Sequence, residues 1–352
     1  MPGRTGAGLV TTALARPVLW TARVDESVSA VGWSAGDVRV AVADLGGAVT
    51  LLDGRDGAVV ATGPTHDGGA LALAWQPGGE VLATGGADGR VVLLGPAGPC
   101  VVEVGGWVQA MRWARSGRHL AVATGRTVVL LDPAGAVLAR WGGQPSTVTD
   151  VVFSRDGSRL GVAAYGGLRW YAVSASGASA AADPVRVFDW KGSLLTARVT
   201  PDGRWVASGN QDSSVHVWRL WTGEDAQMAG YPQKVDVLAF DRLSRWMANG
   251  GSTEVHLWDF SGRGPVGRSP FVLPGHDALV SALAWQPTGS LLASAGRDGG
   301  IALWQPSTTG ITGRRPRARF TAGARVTGLT WQPGGGAVVA GTVEGAVLAV
   351  AA

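Results

Sequence analysis

The sequence predicts an all-β chain assembled from one repeated four-stranded unit. Three observations carry this. First, near-copies of one stretch recur: WQPGGEVLATGGADGRVVLL from Trp75, WQPTGSLLASAGRDGGIALW from Trp285 and WQPGGGAVVAGTVEGAVLAV from Trp331. Second, an apolar anchor followed by a polar turn returns eight times, at Trp33, Trp75, Trp113, Phe153, Val199, Phe240, Trp285 and Trp331. The intervals are 42, 38, 40, 46, 41, 45 and 46 residues, the length of a four-stranded unit. Third, the position 18 or 19 residues beyond each anchor is always large and apolar: Leu52, Leu94, Leu131, Tyr171, Trp218, Trp258, Trp304 and Val350. Two strands and a turn fill that gap, whereas a helix would not hold this register through every unit.

Within a unit the elements follow in order. The anchor ends a strand, a polar turn follows, a second strand leads to an Asp/Gly turn, and a third strand ends near the large apolar position. In the fifth unit these are LLTARV, TPDG, RWVASG, NQDS and SVHVWRL. The strands are short, rich in Val, Leu, Ala and Trp, and bounded by Gly, Asp, Asn and Pro. A fourth strand fits before each next unit: AVVATG, CVVEVG, VLARWG, VRVFDW, DAQMAG, FVLPG and RARFTA. One four-stranded sheet cannot bury both faces alone, and radial stacking solves this for all units together.

These units resemble WD repeats, and their ring resembles a β-propeller, from about residue 17 to residue 352. The seventh unit carries the resemblance most fully, with Gly275, His276, Ser294, Asp298 and Trp304. The resemblance implies a hydrogen-bonded tetrad of His276, Ser294, Asp298 and Trp304 that braces the unit. The second unit keeps His66, Thr84 and Asp88 but has Leu94 in place of the Trp; the fifth has Ser208, Asp212 and Trp218 without the His. The sixth alone ends in a Trp-Asp pair, Trp258 and Asp259. A complete tetrad is therefore expected in one unit, with apolar packing holding the others.

Strand counting sets the closure. The three-strand cores number eight, and seven fourth strands lie between them, so the last must come from a chain end. The segment PVLWTARV, residues 17–24, can supply it. The expected fold is an eight-bladed β-propeller of four-stranded antiparallel blades, with seven blades and a degenerate unit as the alternative. An N-terminal strand completes the last blade. Residues 1–16 are expected to be a flexible tail before a single domain spanning 17–352.

Composition narrows the function. The 352 residues are 46% hydrophobic, enough for a large core, and carry a net charge of +4. Lys191 and Lys234 are the two lysines among 30 basic residues. This Arg bias, with abundant Ala, Gly and Val, points to a GC-rich bacterial genome and not to nucleic-acid binding, which calls for clustered positive charge. Cys100 is the sole cysteine, without metal-ligand spacing, and fits a reducing cytoplasm. The N-terminal apolar stretch is interrupted by Gly8, Thr11 and Thr12, against a signal peptide. No apolar run is long enough to span a membrane. There is no His-x-x-x-His pair, no Gly-x-Ser-x-Gly elbow and no phosphate-binding Gly-Lys-Ser/Thr loop. A monomer without cofactor or metal, acting on protein or peptide partners and not as an enzyme, is the expectation.

The turns sort onto two faces. The Asp/Gly turns and the loops entering each innermost strand share one, which the resemblance marks as the usual partner surface. Residues expected to project there are Trp107, Tyr165, Lys191, Gln211, Lys234, Arg297 and Arg325. Exposed Trp, Tyr and Arg are common interface anchors. The opposite face carries residues 174–184 and the loop 305–320, with Arg314, Arg315, Arg317 and Arg319. The alternative function is a propeller enzyme, or a protein binding a small ligand or metal in its central channel. It would use Asp150, Asp236, Arg112 and Arg198 on innermost strands.

Overall fold

The structure is a computed structural model that describes residues 18–63, 66–174, 182–306 and 315–352. It consists of strands joined by tight turns. β1 (Val18–Arg23) precedes a first sheet of β2 (Val28–Trp33), β3 (Arg39–Asp44), β4 (Val49–Asp53) and β5 (Val59–Thr62). The second holds β6 (Ala70–Trp75), β7 (Leu82–Gly86), β8 (Arg90–Gly95) and β9 (Gly98–Glu103). The third holds β10 (Val108–Trp113), β11 (Leu120–Thr124), β12 (Thr127–Leu131) and β13 (Val137–Trp141). A six-stranded sheet follows, with β14 (Asp150–Phe153), β15 (Arg159–Ala172), β16 (Arg186–Val199), β17 (Trp205–Asn210), β18 (Val215–Arg219) and β19 (Asp225–Met228). Then come β20 (Leu238–Phe240), β21 (Trp246–Asn249), β22 (Glu254–Asp259) and β23 (Phe271–Pro274) in one sheet, and β24 (Val280–Trp285), β25 (Leu292–Gly296), β26 (Gly300–Trp304) and β27 (Ala318–Thr321) in the next. The last sheet is β28 (Val326–Trp331), β29 (Ala337–Thr342) and β30 (Ala346–Ala351), with β1 as its fourth strand.

The anchor spacing predicts eight blades; the described residues form seven sheets, and the count is corrected to seven. The reason lies in β15 and β16, each 14 residues long. β14 pairs with the start of β15 (Asp150↔Ala163), the end of β15 with the start of β16 (Leu168↔Phe188), and the end of β16 with β17 (Ala197↔Ser208). β15 turns back on itself at Gly166 and Gly167 (φ 84° and 122°), which brings the Val173 amide within 2.8 Å of the Ser158 carbonyl. The bridge Tyr165↔Ser193 then ties the two long strands across the corner. VRVFDW and LLTARV are thus parts of one strand, and the fourth and fifth repeat units share one sheet.

Closure runs through β1. Thr21 pairs with Leu348 and Arg23 with Ala346, antiparallel. Trp20 is buried, and its indole donates to the Gly54 carbonyl of the first sheet at 3.0 Å. At the opposite turns, the Asp37 carboxylate accepts the Gly334 amide at 3.0 Å. The innermost strands contact one another in sequence around the axis, β2, β6, β10, β14, the end of β16, β20, β24, β28 and back to β2.

The recurring Trp-Gln-Pro has a physical explanation here. Four of the five tryptophan anchors reach backward to the carbonyl just before the previous anchor: Trp75 to Gly32 (3.1 Å), Trp113 to Ala74 (3.0 Å), Trp285 to Ala239 (3.0 Å) and Trp331 to Ala284 (2.8 Å). The glutamine reaches forward to a turn glycine of the next sheet, Gln76 to Gly117 (2.9 Å) and Gln286 to Gly335 (2.7 Å). The motif clamps both neighbours, so its repetition is architectural. Apolar clusters fill the spaces between sheets. One packs Val28, Trp33 and Val40 of the first sheet on Val339 and Val347 of the last.

Candidate functional site

The Asp/Gly turns meet the loops entering the innermost strands on one face. The Gln211 amide donates to Ser193, Arg297 to Leu279 and Val343 to Arg325, each a turn residue bonded to a strand entry. The turns themselves are held by aspartate: Asp298 Oδ1 accepts the Gly300 amide at 3.0 Å and Asp88 Oδ1 the Arg90 amide at 3.1 Å. Gly299 between them has φ 77°, and a Cβ there would lie 2.9 Å from the Ala324 carbonyl oxygen. Each turn can therefore pass close under its neighbour and present its side chains outward.

The seven candidate partner residues are all exposed. Trp107 is 64% exposed and Tyr165 53%, large for aromatic side chains. Trp107 follows Gly105 and Gly106, both in the left-handed region, and so stands clear of the neighbouring sheet. Gln211, Lys234 and Arg297, from three different repeat units, line one cavity of about 260 Å³. Ser213, Gln233 and Asp236 complete its polar wall, and Leu279 and Val280 form an apolar edge. Lys234 Nζ stands 4.0 Å from Asp236, a loose pair that leaves the ammonium free to reorient. Trp107, Tyr165, Lys191 and Arg325 do not line this cavity.

Beneath the face lies the bracing network. Trp304 Nε1 donates to Ser294 Oγ at 2.9 Å, and Ser294 Oγ lies 2.8 Å from His276 Nε2. The serine hydroxyl accepts from the indole, and with Asp298 on the Nδ1 side of the imidazole the serine donates its own proton to His276 Nε2. The imidazole proton then sits on Nδ1, 3.4 Å from Asp298, a long electrostatic contact. Burial pushes the His276 pKa down against the pull of Asp298. Burial also opposes ionisation of Asp298, but the Asp277 and Gly300 amides and His276 outweigh it and hold its carboxyl below the usual range. The second unit has the shorter version: His66 contacts Thr84 Oγ1 at 2.9 Å and Asp88 at 3.1 Å. In the sixth unit Tyr231 takes the histidine's place. Its hydroxyl accepts from Trp258 Nε1 at 3.0 Å and lies 3.2 Å from Asn249 Oδ1. Burial raises its pKa to about 12. Polar bracing therefore extends beyond one unit, where residue matching finds a single complete set.

Known proteins bear on this arrangement. The family model for the WD domain, G-beta repeat, matches residues 57–93, 183–219 and 267–305. The match at 267–305 contains the whole tetrad, and each match starts in an outer segment and ends in the third strand of the following repeat unit. The chain is a β-propeller with matches to the WD40 repeat in three places. Among curated proteins, the propeller is 27% identical over 101 residues to a probable cytosolic iron-sulfur protein assembly protein 1 of Aspergillus fumigatus, covering 26% of the chain and 20% of that protein. The protein of the same name in Aspergillus niger is 26% identical over 112 residues, covering 26% and 25%. Protein HIR1 of Kluyveromyces lactis is 27% identical over 107 residues, covering 30% of the chain and 9% of that protein. The chain thus spans a quarter or less of each of these relatives. Among solved structures, the crystal structure of the computationally designed Ika8 protein superposes with a TM-score of 0.78 at 18% identity, covering 95% of this chain and 99% of that one. That likeness concerns the fold.

The channel residues separate into two groups. Asp236 belongs to the cavity described above. Asp150, on β14, is held by Arg112 and Arg198 outside that cavity: Arg112 Nη2 at 3.3 Å, Arg198 Nη1 at 2.5 Å, the Thr196 hydroxyl at 3.1 Å and the Ala197 amide at 3.0 Å. Burial would raise the Asp150 pKa, but Arg198, Arg112 and the Ala197 amide hold it down at about 2. Asp150 and Asp236 therefore do not converge. His216 pairs with Asp225 at 2.8 Å, and the His256 ring packs edge-on against Tyr231. Among the described residues no cluster of three His, Cys, Asp or Glu side chains could hold a metal. Arg317 donates to Gln305 at 2.9 Å, while Arg314 and much of its loop lie outside the described residues, as do residues 1–16.

Proposed function

We propose that the propeller is a non-catalytic docking scaffold, a cytoplasmic monomer that takes a protein or peptide partner on its Asp/Gly-turn face. One observation carries the reading: Gln211, Lys234 and Arg297, from three repeat units, converge on one polar cavity rimmed by apolar residues. Two cations, two amides and one carboxylate suit a peptide segment rich in acceptors, with carbonyls or a carboxylate against Lys234 and Arg297. Trp107 supplies a rigid apolar anchor elsewhere on the same face. WD40 propellers generally mediate protein interactions, and the curated relatives named for assembly fit this use.

The test is differential capture from the native cell with immobilised wild type and a Trp107→Ala/Lys234→Ala/Arg297→Ala variant. The reading expects partners held by the wild type to fall at least about tenfold on the variant, about 1.4 kcal/mol, at unchanged melting temperature. Equal capture by both proteins rejects this face.

A further inference from the structure

The opposite face holds a second cavity of about 370 Å³ whose lining contains Arg112, Arg115, Arg155, Arg198 and Arg242 and no carboxylate. Its walls are otherwise Trp113, Val152, Phe153, Val199, Thr200 and Pro201. The repeat shows how unusual this is. The position two beyond the anchor is Ala35, Pro77, Pro201, Pro287 or Pro333 in five units, but Arg115, Arg155 and Arg242 in the third, fourth and sixth. The position before the anchor is Gly32, Ala74, Val152, Ala239, Ala284 or Thr330 in six units, but Arg112 and Arg198 in the third and fifth. Arginine replaces small or apolar residues at two equivalent positions, and does so in one contiguous arc of the ring.

Charge balance sharpens the point. Asp150 is the one carboxylate paired with this cluster, and it engages Arg112 and Arg198 from behind. Burial and the neighbouring Arg198 push the Arg112 guanidinium down, with Asp150 opposing. Among the described residues Arg115, Arg155 and Arg242 form no ion pair. Arg115 bonds the Pro201 carbonyl two units further on and Arg242 the Gly289 carbonyl of the next unit, both at 3.3 Å. The nearby Asp156 and Asp202 are engaged in their own turns by Ser154 and Thr200. Each guanidinium has five donors in a planar fork, so most donors here remain unspent.

We propose that this arginine basin binds a small phosphate-bearing anion with several negative charges. Phosphate oxygens match the guanidinium fork in pairs. The volume lies within the range of small-ligand clefts, and the Trp113 and Phe153 walls would contact an apolar or planar body attached to the phosphates. Asp150 acts as a positioning residue that holds Arg112 and Arg198 in the floor. The site is distinct from the turn-face cavity and stands without the docking reading.

Inorganic tripolyphosphate is the probe, titrated calorimetrically into the full chain at low salt. The wild type is expected to bind at one site. Arg115→Ala/Arg155→Ala/Arg242→Ala should weaken binding at least about tenfold. An Arg55→Ala/Arg263→Ala/Arg325→Ala control removes the same charge from exposed arginines elsewhere and should retain binding, as should Lys234→Ala. Should the first variant fold poorly, Arg155→Ala alone, whose side chain makes no hydrogen bond among the described residues, should still weaken binding several-fold. Wild-type affinity in the basin variants, equal loss in the control, or binding of a polyglutamate peptide but not of tripolyphosphate would overturn the proposal.

Discussion

The indole nitrogen of Trp331 lies 2.8 Å from the carbonyl oxygen of Ala284, the residue just before Trp285 in the neighbouring sheet. Sheets in a radial stack share no backbone ladder at this radius, so such a bond fixes one sheet against the next. Trp33 occupies the same repeat position, yet its buried indole nitrogen has no partner among the described residues. The comparison isolates the clamp. Trp331→Phe and Trp33→Phe remove similar ring volume, but the first also leaves a carbonyl without its donor. Trp331→Phe should be the more destabilising, by about 1 kcal/mol, in urea unfolding of the two variants. Equal losses would show that the clamp contributes nothing beyond packing.

The tetrad gives a second prediction. Ser294→Ala strands both Trp304 Nε1 and His276 Nε2, each otherwise bonded to Ser294 Oγ. Each unsatisfied buried group costs about 1–3 kcal/mol, so the variant should unfold at clearly lower denaturant. Thr at the same position keeps a hydroxyl, as Thr84 does beside His66, and Ser294→Thr should recover part of the loss.

Stability should fall in mild acid. Burial depresses the pKa of His119, His216, His256 and His276 below the ordinary 6.5, against nearby carboxylates. The unfolded chain then binds more protons than the folded one as pH drops through 6.5, so stability rises with pH across that window. The contribution is fully present above 6.5 and is lost as pH falls through the depressed folded values. Asp150, held at about 2, stays ionised throughout and does not contribute to this slope. The urea midpoint should decline from pH 7.5 to pH 5. A flat profile contradicts the assignment of these imidazoles as buried and neutral.

Closure by β1 predicts a strong effect of truncation. Removing residues 1–24 takes away the partner of β30 and the Trp20 indole that bonds Gly54. The remaining edge of β30, with Val347 and Leu348 buried in the intact ring, would face solvent. Loss of cooperative unfolding, or aggregation on size-exclusion chromatography, is expected. A soluble truncation of equal stability would contradict the closure.

Much of this ring is legible in the chain, because each anchor and each Asp/Gly turn repeats a local rule. The blade count is not, since spacing cannot show whether VRVFDW and LLTARV belong to two strands or to one. That depends on the corner at Gly166 and Gly167 and on the pairing of Tyr165 with Ser193. The bracing by Tyr231 and Asn249 escapes residue matching, because a phenol there does the work of an imidazole. Gln211, Lys234 and Arg297 are legible as exposed turn residues, but their convergence on one cavity comes from the ring's curvature. The arginine basin leaves a trace: the residue two beyond the anchor changes from proline to arginine in three units. Read one unit at a time, each is only a surface arginine.

Partner docking is proposed for the Asp/Gly-turn face. The most direct test is amide hydrogen exchange of the propeller with and without a captured, purified partner. Docking on this face predicts new protection at residues 105–108, 211–213, 233–236 and 297–299, with residues 115–117, 155–157 and 201–203 on the opposite face unchanged. Protection confined to those opposite turns would contradict it.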